Sequence, residues 1–211
     1  MSMSPFTGMP SVNAATPGHV FLIEDDAHLR DDLAELLRFS GFTVQCFPSA
    51  EHFAGVSITA DPAVIVSDVR MPGISGVEMQ ASLPTTPRAL PVIFMSGESS
   101  RQEIVEGMRN GALDFLLKPF RAEQLVSAVT KALAVDSENI VKLRSAERLG
   151  TLLSRLSPRE REVFRLLAKG LNNQELVRQL GISIETVKQY KQEVMRKCEC
   201  RSLAELIETA S

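Results

Sequence analysis

The sequence is poor in cysteine and contains no long apolar run. Its three cysteines, Cys46, Cys198 and Cys200, are too few for a disulfide framework, and they fit a reducing compartment such as the cytosol. No apolar stretch approaches the roughly 18–20 residues that a transmembrane helix needs. The first basic residue is Arg30, and no continuous apolar segment precedes it, which argues against a secretory signal peptide. We therefore expect a cytoplasmic protein without membrane contact.

Transition-metal ligands are equally scarce. The three histidines are scattered along the chain, and Cys198 and Cys200 have no third or fourth ligand nearby in the sequence. Cysteines in such a setting are usually small apolar residues of the core. The sequence therefore predicts no zinc site.

The composition that remains is that of an ordinary globular protein, with 44% hydrophobic and 23% charged residues. The charge is divided unevenly along the chain. Residues 1–136 contain 9 Lys and Arg against 16 Asp and Glu, whereas residues 137–211 contain 14 against 10. An acidic first part and a basic second part suggest two modules with different partners, and the second is the candidate for contact with a polyanion.

The first part of the chain alternates short apolar runs with segments of helical periodicity. Residues 1–17 are rich in Pro, Ser, Thr and Met and read as a disordered tail. Residues 18–136 then form five β–α units, which predict a parallel sheet with helices on both faces. The predicted strands are His19–Ile23, Phe42–Phe47, Ala63–Ser67, Pro91–Met95 and Leu113–Leu117.

The second part has helical patterns and no strand pattern. Residues 137–155 are polar with apolar residues near helical spacing, and we expect a partly helical linker. Residues 156–211 contain four short helical segments, three of which begin with a Ser or Asn followed three residues later by Glu. Two of the helices are joined by the tight turn at 180–183, which makes them a helix-turn-helix candidate.

Polar side chains gather where the predicted strands end. In parallel sheets the functional site lies beyond the carboxyl ends of the strands. Those ends carry Glu24 and Asp25, Asp68, Ser96 and Lys118. Crowded carboxylates without His or Cys favour Mg²⁺ or Mn²⁺. A hard cation, a lysine and a hydroxyl around a carboxylate form a setting for phosphoryl transfer.

Residues 18–136 closely resemble the receiver domain of bacterial two-component response regulators. The segments that carry the resemblance are LIEDDAHLR, VSDVRMPGISGVEM, VIFMSGES and GALDFLLKPF. The resemblance implies a doubly wound, flavodoxin-like sheet with strand order 2-1-3-4-5. It also implies that Asp68 accepts a phosphoryl group from a sensor histidine kinase. The metal ligands that it implies are Glu24, Asp25, Asp68 and the backbone carbonyl of Arg70.

The same resemblance assigns a switch to the other rim residues. Ser96 matches the hydroxyl that turns towards the acyl phosphate, and Phe115 matches the aromatic side chain that then changes rotamer. Lys118 matches the lysine of the site, and its peptide bond to Pro119 is expected to be cis. Phosphorylation would thereby remodel the face formed by residues 100–135.

Residues 156–211 resemble the four-helix DNA-binding domain of LuxR-type regulators. The resemblance is carried by LSPREREVFRLLAKGLNNQELVRQLGISIETVKQYKQEVMRKC and by the following RSLAEL. Lys and Gln can read base edges in the major groove, and other basic residues can contact phosphates. The expected DNA contacts are Thr186, Lys188, Gln189, Lys191, Gln192 and Arg196. With the receiver in front, the chain resembles the NarL/FixJ class and leans towards FixJ.

The hypothesis is a DNA-binding response regulator that forms a homodimer when Asp68 is phosphorylated and binds two-fold-related promoter half-sites. RNA polymerase is a possible further partner. The protein would not be an enzyme beyond taking part in its own phosphorylation and dephosphorylation. Two alternatives stay open: a regulator that acts independently of phosphorylation, and a Mg²⁺-dependent phosphohydrolase. The latter needs a second Asp two residues after the nucleophile, where this sequence has Arg70.

Overall fold

The computed structural model describes residues 18–83, 88–97 and 101–210, so the predicted tail at 1–17 lies outside the described residues. The chain divides into two compact units, of which the first ends at Ile140 and the second begins at Val141. Within the described residues, no helix is both long and apolar enough to span a membrane.

The first unit is built on a five-stranded parallel sheet. Its order is β2-β1-β3-β4-β5, which is the order that the resemblance to receiver domains implies. Every residue of β3 and β4 is buried, because helices cover both faces of the sheet. The strands are β1 His19–Ile23, β2 Thr43–Phe47, β3 Ala63–Asp68, β4 Val92–Ser96 and β5 Asp114–Leu117.

Alternate residues of the strands supply two separate hydrophobic cores, one on each face of the sheet. Val64 and Val66 of β3 pack with Leu37 and Leu125 on one face. Ile65 of the same strand packs on the other face with residues such as Phe94 and Val77. The helices of this unit are α1 Ala27–Phe39, α2 Ala50–Phe53, α3 Gly76–Ser82 and α4 Arg101–Arg109, followed by α5.

Helix α5 runs from Ala122 to Ser154 without interruption. It therefore occupies most of the predicted linker at 137–155. Its early residues Leu125 and Val129 belong to a core of the first unit, and its late residues Leu149 and Leu153 pack against the core of the second. The continuous helix follows from apolar residues that keep helical spacing through this segment, with no proline to end it.

The second unit consists of the end of α5 and four short helices around a single core. The helices are α6 Pro158–Ala168, α7 Asn173–Leu180, α8 Ile184–Lys197 and α9 Leu203–Ala210. Capping boxes form at the starts of α6 and α7. Gly181 ends α7 with a φ of 65°, a left-handed conformation that suits glycine, and Ser183 caps α8. Cys198 is buried in the core, which agrees with the interpretation of it as an apolar residue.

Candidate functional site

Three carboxylates converge at the carboxyl edge of the sheet. Strands β1 and β3 are paired with Ile23 opposite Ser67. The next residue on each side, Glu24 after Ile23 and Asp68 after Ser67, therefore lies beside the other. Oxygen atoms of Glu24, Asp25 and Asp68 all lie within 4.8 Å of one another. Glu24 and Asp68 are buried, whereas Asp25 is exposed. The sequence prediction that these strand ends bring the acidic residues together is confirmed.

Lys118 bridges the two buried carboxylates. It follows the end of β5, and its Nζ donates to Glu24 Oε2 at 2.8 Å and to Asp68 Oδ1 at 2.7 Å. Burial alone would lower the pKa of Lys118, but the hydrogen bonds to Asp68 and Glu24 outweigh it and raise the pKa. Burial raises the pKa of Glu24, although the bond from Lys118 partly offsets that effect. The lysine is therefore held as a cation between the carboxylates.

The remaining rim residues lie on the two strands beyond β3. Ser96 is the last residue of β4, is buried, and pairs with Leu117 immediately before Lys118. Phe115 is partly buried on β5, and its ring centroid lies 5.5 Å from that of Phe94. The Lys118–Pro119 peptide bond is cis. Ser96 and Lys118 thus reach the same edge as Asp68, while Phe115 lies further back along its strand.

The donor set suits a hard divalent cation. Among the described residues, the cluster offers carboxylate oxygens with neither His nor Cys, and one lysine accompanies three carboxylates. Mg²⁺ prefers such oxygen ligands and retains several waters, which the exposed Asp25 would allow. The Arg70 backbone N–H donates to Asp68 Oδ2 at 2.9 Å, so the loop after β3 is held against the acidic residue.

Arg30 belongs to this site although the sequence reasoning missed it. Its Nη1 donates to the backbone carbonyl of Glu24 at 2.8 Å and to that of Asp25 at 3.4 Å. The guanidinium therefore fixes the backbone of the acidic pair from the first turns of α1. A basic residue one turn into a helix is common, and only its hydrogen bonds distinguish this one.

The second unit presents its polar helix surface on α8. Lys188, Gln189 and Gln192 are exposed, whereas Val187 and Val194 on the opposite side are buried in the core. Thr186 and Lys191 are half-buried, and the Thr186 hydroxyl lies 3.0 Å from that of Ser183. Arg196 is exposed and pairs with Glu193 at 2.8 Å. The six predicted DNA contacts thus all lie on this helix, and Arg196 already has a carboxylate partner.

Lys197, at the end of the same helix, serves the fold of this unit. Its Nζ donates to both carboxylate oxygens of Glu160, at 2.8 and 2.7 Å. Glu160 also accepts from the backbone N–H of Ser157 in the capping box of α6. These bonds lower the pKa of Glu160 below its usual value of 4.5, and the bond from Lys197 has the largest effect. A cationic side chain on α8 is therefore not by itself a nucleic-acid contact.

Two family models match the chain, one on each unit. The response regulator receiver domain matches residues 20–130. The domain of bacterial regulatory proteins of the luxR family matches residues 154–210. The first match includes the whole acidic cluster and Lys118, and the second includes helix α8.

Curated proteins and solved structures are similar to this chain over nearly its full length, including both units. Nodulation protein W of Bradyrhizobium diazoefficiens is 39% identical over 92% of this chain and 86% of its own length. The transcriptional regulatory protein FixJ of Azorhizobium caulinodans is 39% identical over 90% of each chain. The structure of the response regulator StyR superposes with a TM-score of 0.77 at 33% identity, covering 92% of this chain and 98% of that one.

Proposed function

The chain belongs to the response regulators that join a receiver domain to a LuxR-type DNA-binding domain, and from that premise we propose that Asp68 is the residue through which it is switched. The protein is a DNA-binding regulator of transcription, and its receiver implies a histidine kinase partner. The observation that carries the proposal is the bridge from Lys118 to Asp68 and Glu24, which places a cation beside a buried carboxylate.

In the proposed reaction, a carboxylate oxygen of Asp68 attacks the phosphorus of a phosphohistidine. An oxygen–phosphorus bond forms, the nitrogen–phosphorus bond breaks, and the imidazole nitrogen keeps the electron pair. Lys118 donates towards the oxygens on which negative charge increases. The protein is thus the acceptor in a transfer to itself and takes part in the later loss of the group, without acting on a separate substrate.

We assign Mg²⁺ (Mn²⁺ being an alternative) to the acidic cluster. The ligands would be Asp25, Asp68 and the backbone carbonyl of Arg70, with Glu24 acting mainly through water. When bound, the ion supplies positive charge to offset that of the phosphoryl oxygens. The chain's own contribution is to hold the carboxylates within 4.8 Å of one another and to anchor their backbone through Arg30.

A phosphoryl group on Asp68 would add negative charge and acceptor oxygens to a site that already has three carboxylates. Ser96 and Lys118 are the side chains that would reorganise to meet it, and Phe115 would follow by changing rotamer. We propose that this remodels the face at residues 100–135 and favours a homodimer. The dimer would place two copies of α8 in successive major grooves of a two-fold-related promoter site.

On DNA, we propose that Lys188, Gln189 and Gln192 read base edges, because they are exposed together on α8. Thr186, Lys191 and Arg196 would contact phosphates. The proposed domains are residues 18–136 for the receiver, 137–155 for the linker and 156–211 for DNA binding. We also propose RNA polymerase as a further partner and the cytoplasm as the location, because the DNA is there.

The test is covalent labelling by a small-molecule phosphodonor such as acetyl phosphate in the presence of Mg²⁺. Wild type should gain one phosphoryl group by intact mass, labile to hydroxylamine as an acyl phosphate is. Asp68→Asn should gain none. Asp26→Asn is the matched control, because Asp26 adjoins the acidic pair but caps α1 by accepting from the Leu29 N–H. Labelling that persists in Asp68→Asn would exclude Asp68 as the acceptor.

The same samples test the output. Labelled wild type should form a dimer, seen as a higher oligomeric mass in solution, and should bind promoter DNA more tightly. Unlabelled wild type and Asp68→Asn should do neither. If the oligomeric mass and the DNA affinity of labelled wild type are unchanged, the alternative hypothesis of a regulator that acts independently of phosphorylation is favoured.

A further inference from the structure

Arg70 connects the acidic cluster to helix α4. Its backbone N–H donates to Asp68 Oδ2 at 2.9 Å. Its guanidinium forms a two-pronged ion pair with Glu103 in the first turn of α4, with Nε to Oε1 at 3.2 Å and Nη2 to Oε2 at 3.1 Å. One residue therefore contacts the proposed phosphoacceptor through its backbone and α4 through its side chain.

We propose that the Arg70–Glu103 pair is a latch that holds α4 in its resting position and that a phosphoryl group on Asp68 releases it by competing for the guanidinium. The proposal rests on the proposed function of Asp68. It adds a residue pair to the switch, because Glu103 lies on a helix from which no switch residue is assigned above. Arg70 acts here as a positioning residue.

Competition of this kind has a clear physical basis. A guanidinium binds carboxylate and phosphate with the same planar fork, and a phosphoryl group near neutral pH carries about 1.5 to 2 negative charges against one on a carboxylate. The phosphoryl group would be bonded to the carboxylate that the Arg70 backbone already contacts. The dianion and Glu103 would thus compete for a side chain anchored between them.

The pair is also weak enough to be exchanged. The Arg70 side chain is 54% exposed and that of Glu103 is 32% exposed. Solvent screens such pairs, and their contribution is typically small. A buried pair would resist exchange, because its partners could not be separated without leaving a charge desolvated.

Release of α4 would reach a surface suited to an output. Val105 and Met108 lie on this helix and are 46% and 48% exposed. A change in the position of α4 would move both apolar side chains. The latch therefore connects charge at Asp68 to an apolar surface on the same helix.

The experiment measures the affinity of the full chain for beryllofluoride with Mg²⁺, a stand-in for the phosphoryl group. Glu103→Gln should remove the carboxylate that competes for the guanidinium and tighten binding about two- to fivefold. The matched control is Glu106→Gln, which removes the same charge from an exposed position on the same helix. Among the described residues, no ion pair includes Glu106. The control should bind as wild type does.

A double-mutant cycle with Arg70→Gln identifies the route of the effect. In the Arg70→Gln background, the further change Glu103→Gln should have no effect on the affinity for beryllofluoride, because the guanidinium for which Glu103 competes is then absent. Amide hydrogen exchange over residues 104–109, without beryllofluoride, should be faster in both single variants than in wild type and unchanged in Glu106→Gln. This second readout reports the latch separately from affinity.

The outcomes separate the latch from the proposed function. If wild type binds beryllofluoride no better than Asp68→Asn does, the proposed function fails. If wild type binds through Asp68 but Glu103→Gln and Glu106→Gln behave alike, only the latch is overturned. A gain from Glu103→Gln that persists without Arg70 would likewise overturn it, since the effect would then be a general one of charge.

Discussion

A buried carboxylate lies at each end of strand β3. The two ends differ in whether every carboxylate there has an ion-pair partner. Asp68 closes the strand and shares Lys118 with Glu24. At the other end, Asp136 of α5 accepts from the backbone N–H of Ala63, the first residue of the strand, at 2.7 Å. The two ends are roughly 16 Å apart at the usual rise of a strand.

At the amino end, the matched end, one arginine forms ion pairs with two carboxylates. Asp136 is wholly buried and accepts from Arg88 Nε at 3.2 Å and from Nη2 at 2.6 Å. Arg88 also donates to the Ala60 carbonyl and pairs with Asp61. Burial alone would lower the pKa of Arg88, but its bonds to Asp136 and Asp61 raise it. Every charge here has a partner, which is the arrangement expected of a structural tie.

At the carboxyl end, the unmatched end, Lys118 pairs with Glu24 and Asp68, but the third carboxylate, Asp25, forms no ion pair among the described residues. A carboxylate without an ion-pair partner destabilises the folded chain next to other carboxylates, but a bound cation can offset its charge. The comparison teaches that a buried ion pair alone does not indicate a reactive site. The carboxyl end is distinguished by Asp25, a third carboxylate that forms no ion pair among the described residues.

The largest expected effect is at the matched end. Asp136→Asn should destabilise the first unit by about 3 kcal/mol, because it leaves Arg88 partly buried without its main partner. Urea denaturation followed by circular dichroism measures the loss. The single tyrosine of the chain, Tyr190, lies on α8, so its fluorescence follows the second unit and should not change. Glu138→Gln, exposed on the same helix, is the control. Equal stability of the two variants would remove the distinction between the ends.

The same chemical change at the unmatched end should have the opposite sign. Asp68→Asn removes one of three carboxylates and leaves Lys118 paired with Glu24, so we expect the first unit to gain about 1 kcal/mol. The measurement is the same urea titration in EDTA. Mg²⁺ should then stabilise wild type more than the variant, because it binds the folded site. A loss of stability in Asp68→Asn would show that this end is as well matched as the other.

The sequence foretold the unmatched end and not the matched one. Glu24, Asp68 and Lys118 each follow a recognisable apolar strand, and parallel strands bring such residues to one edge. The position of α8 was likewise predictable, because helical periodicity and the glycine turn mark it, whereas the strand order was implied only by the resemblance to receiver domains.

The matched end carries no such pattern. Asp136 falls in a helical segment and Arg88 in a Pro-rich loop, 48 residues apart, and neither follows a strand. Arg30 and Glu103 escaped notice for the same reason, because charged residues on helices are ordinarily solvated and only the tertiary fold gives them partners. Long-range side-chain pairs are set by packing, which local sequence does not encode.

The smallest expected effect distinguishes the unmatched end by its dependence on pH. Burial raises the pKa of Glu24 above its usual 4.5. The stability that Glu24 contributes is therefore present in full below pH 4.5 and is lost as the pH rises through the pKa that Glu24 has in the folded state. Glu24→Gln stays neutral, so its stability in EDTA should improve relative to wild type between pH 4.5 and pH 7.

Glu78 supplies a control of opposite sign. It is exposed, and hydrogen bonds from the Ser75 backbone and hydroxyl lower its pKa below 4.5. Its contribution is present in full above pH 4.5 and is lost as the pH falls through the lowered folded-state pKa, so the disadvantage of Glu78→Gln relative to wild type should shrink below pH 4.5 and stay constant between pH 4.5 and pH 7. A gain in relative stability between pH 4.5 and pH 7 that appears in Glu24→Gln and not in Glu78→Gln would locate the unmatched charge at Glu24. Parallel trends would indicate a general effect of net charge instead.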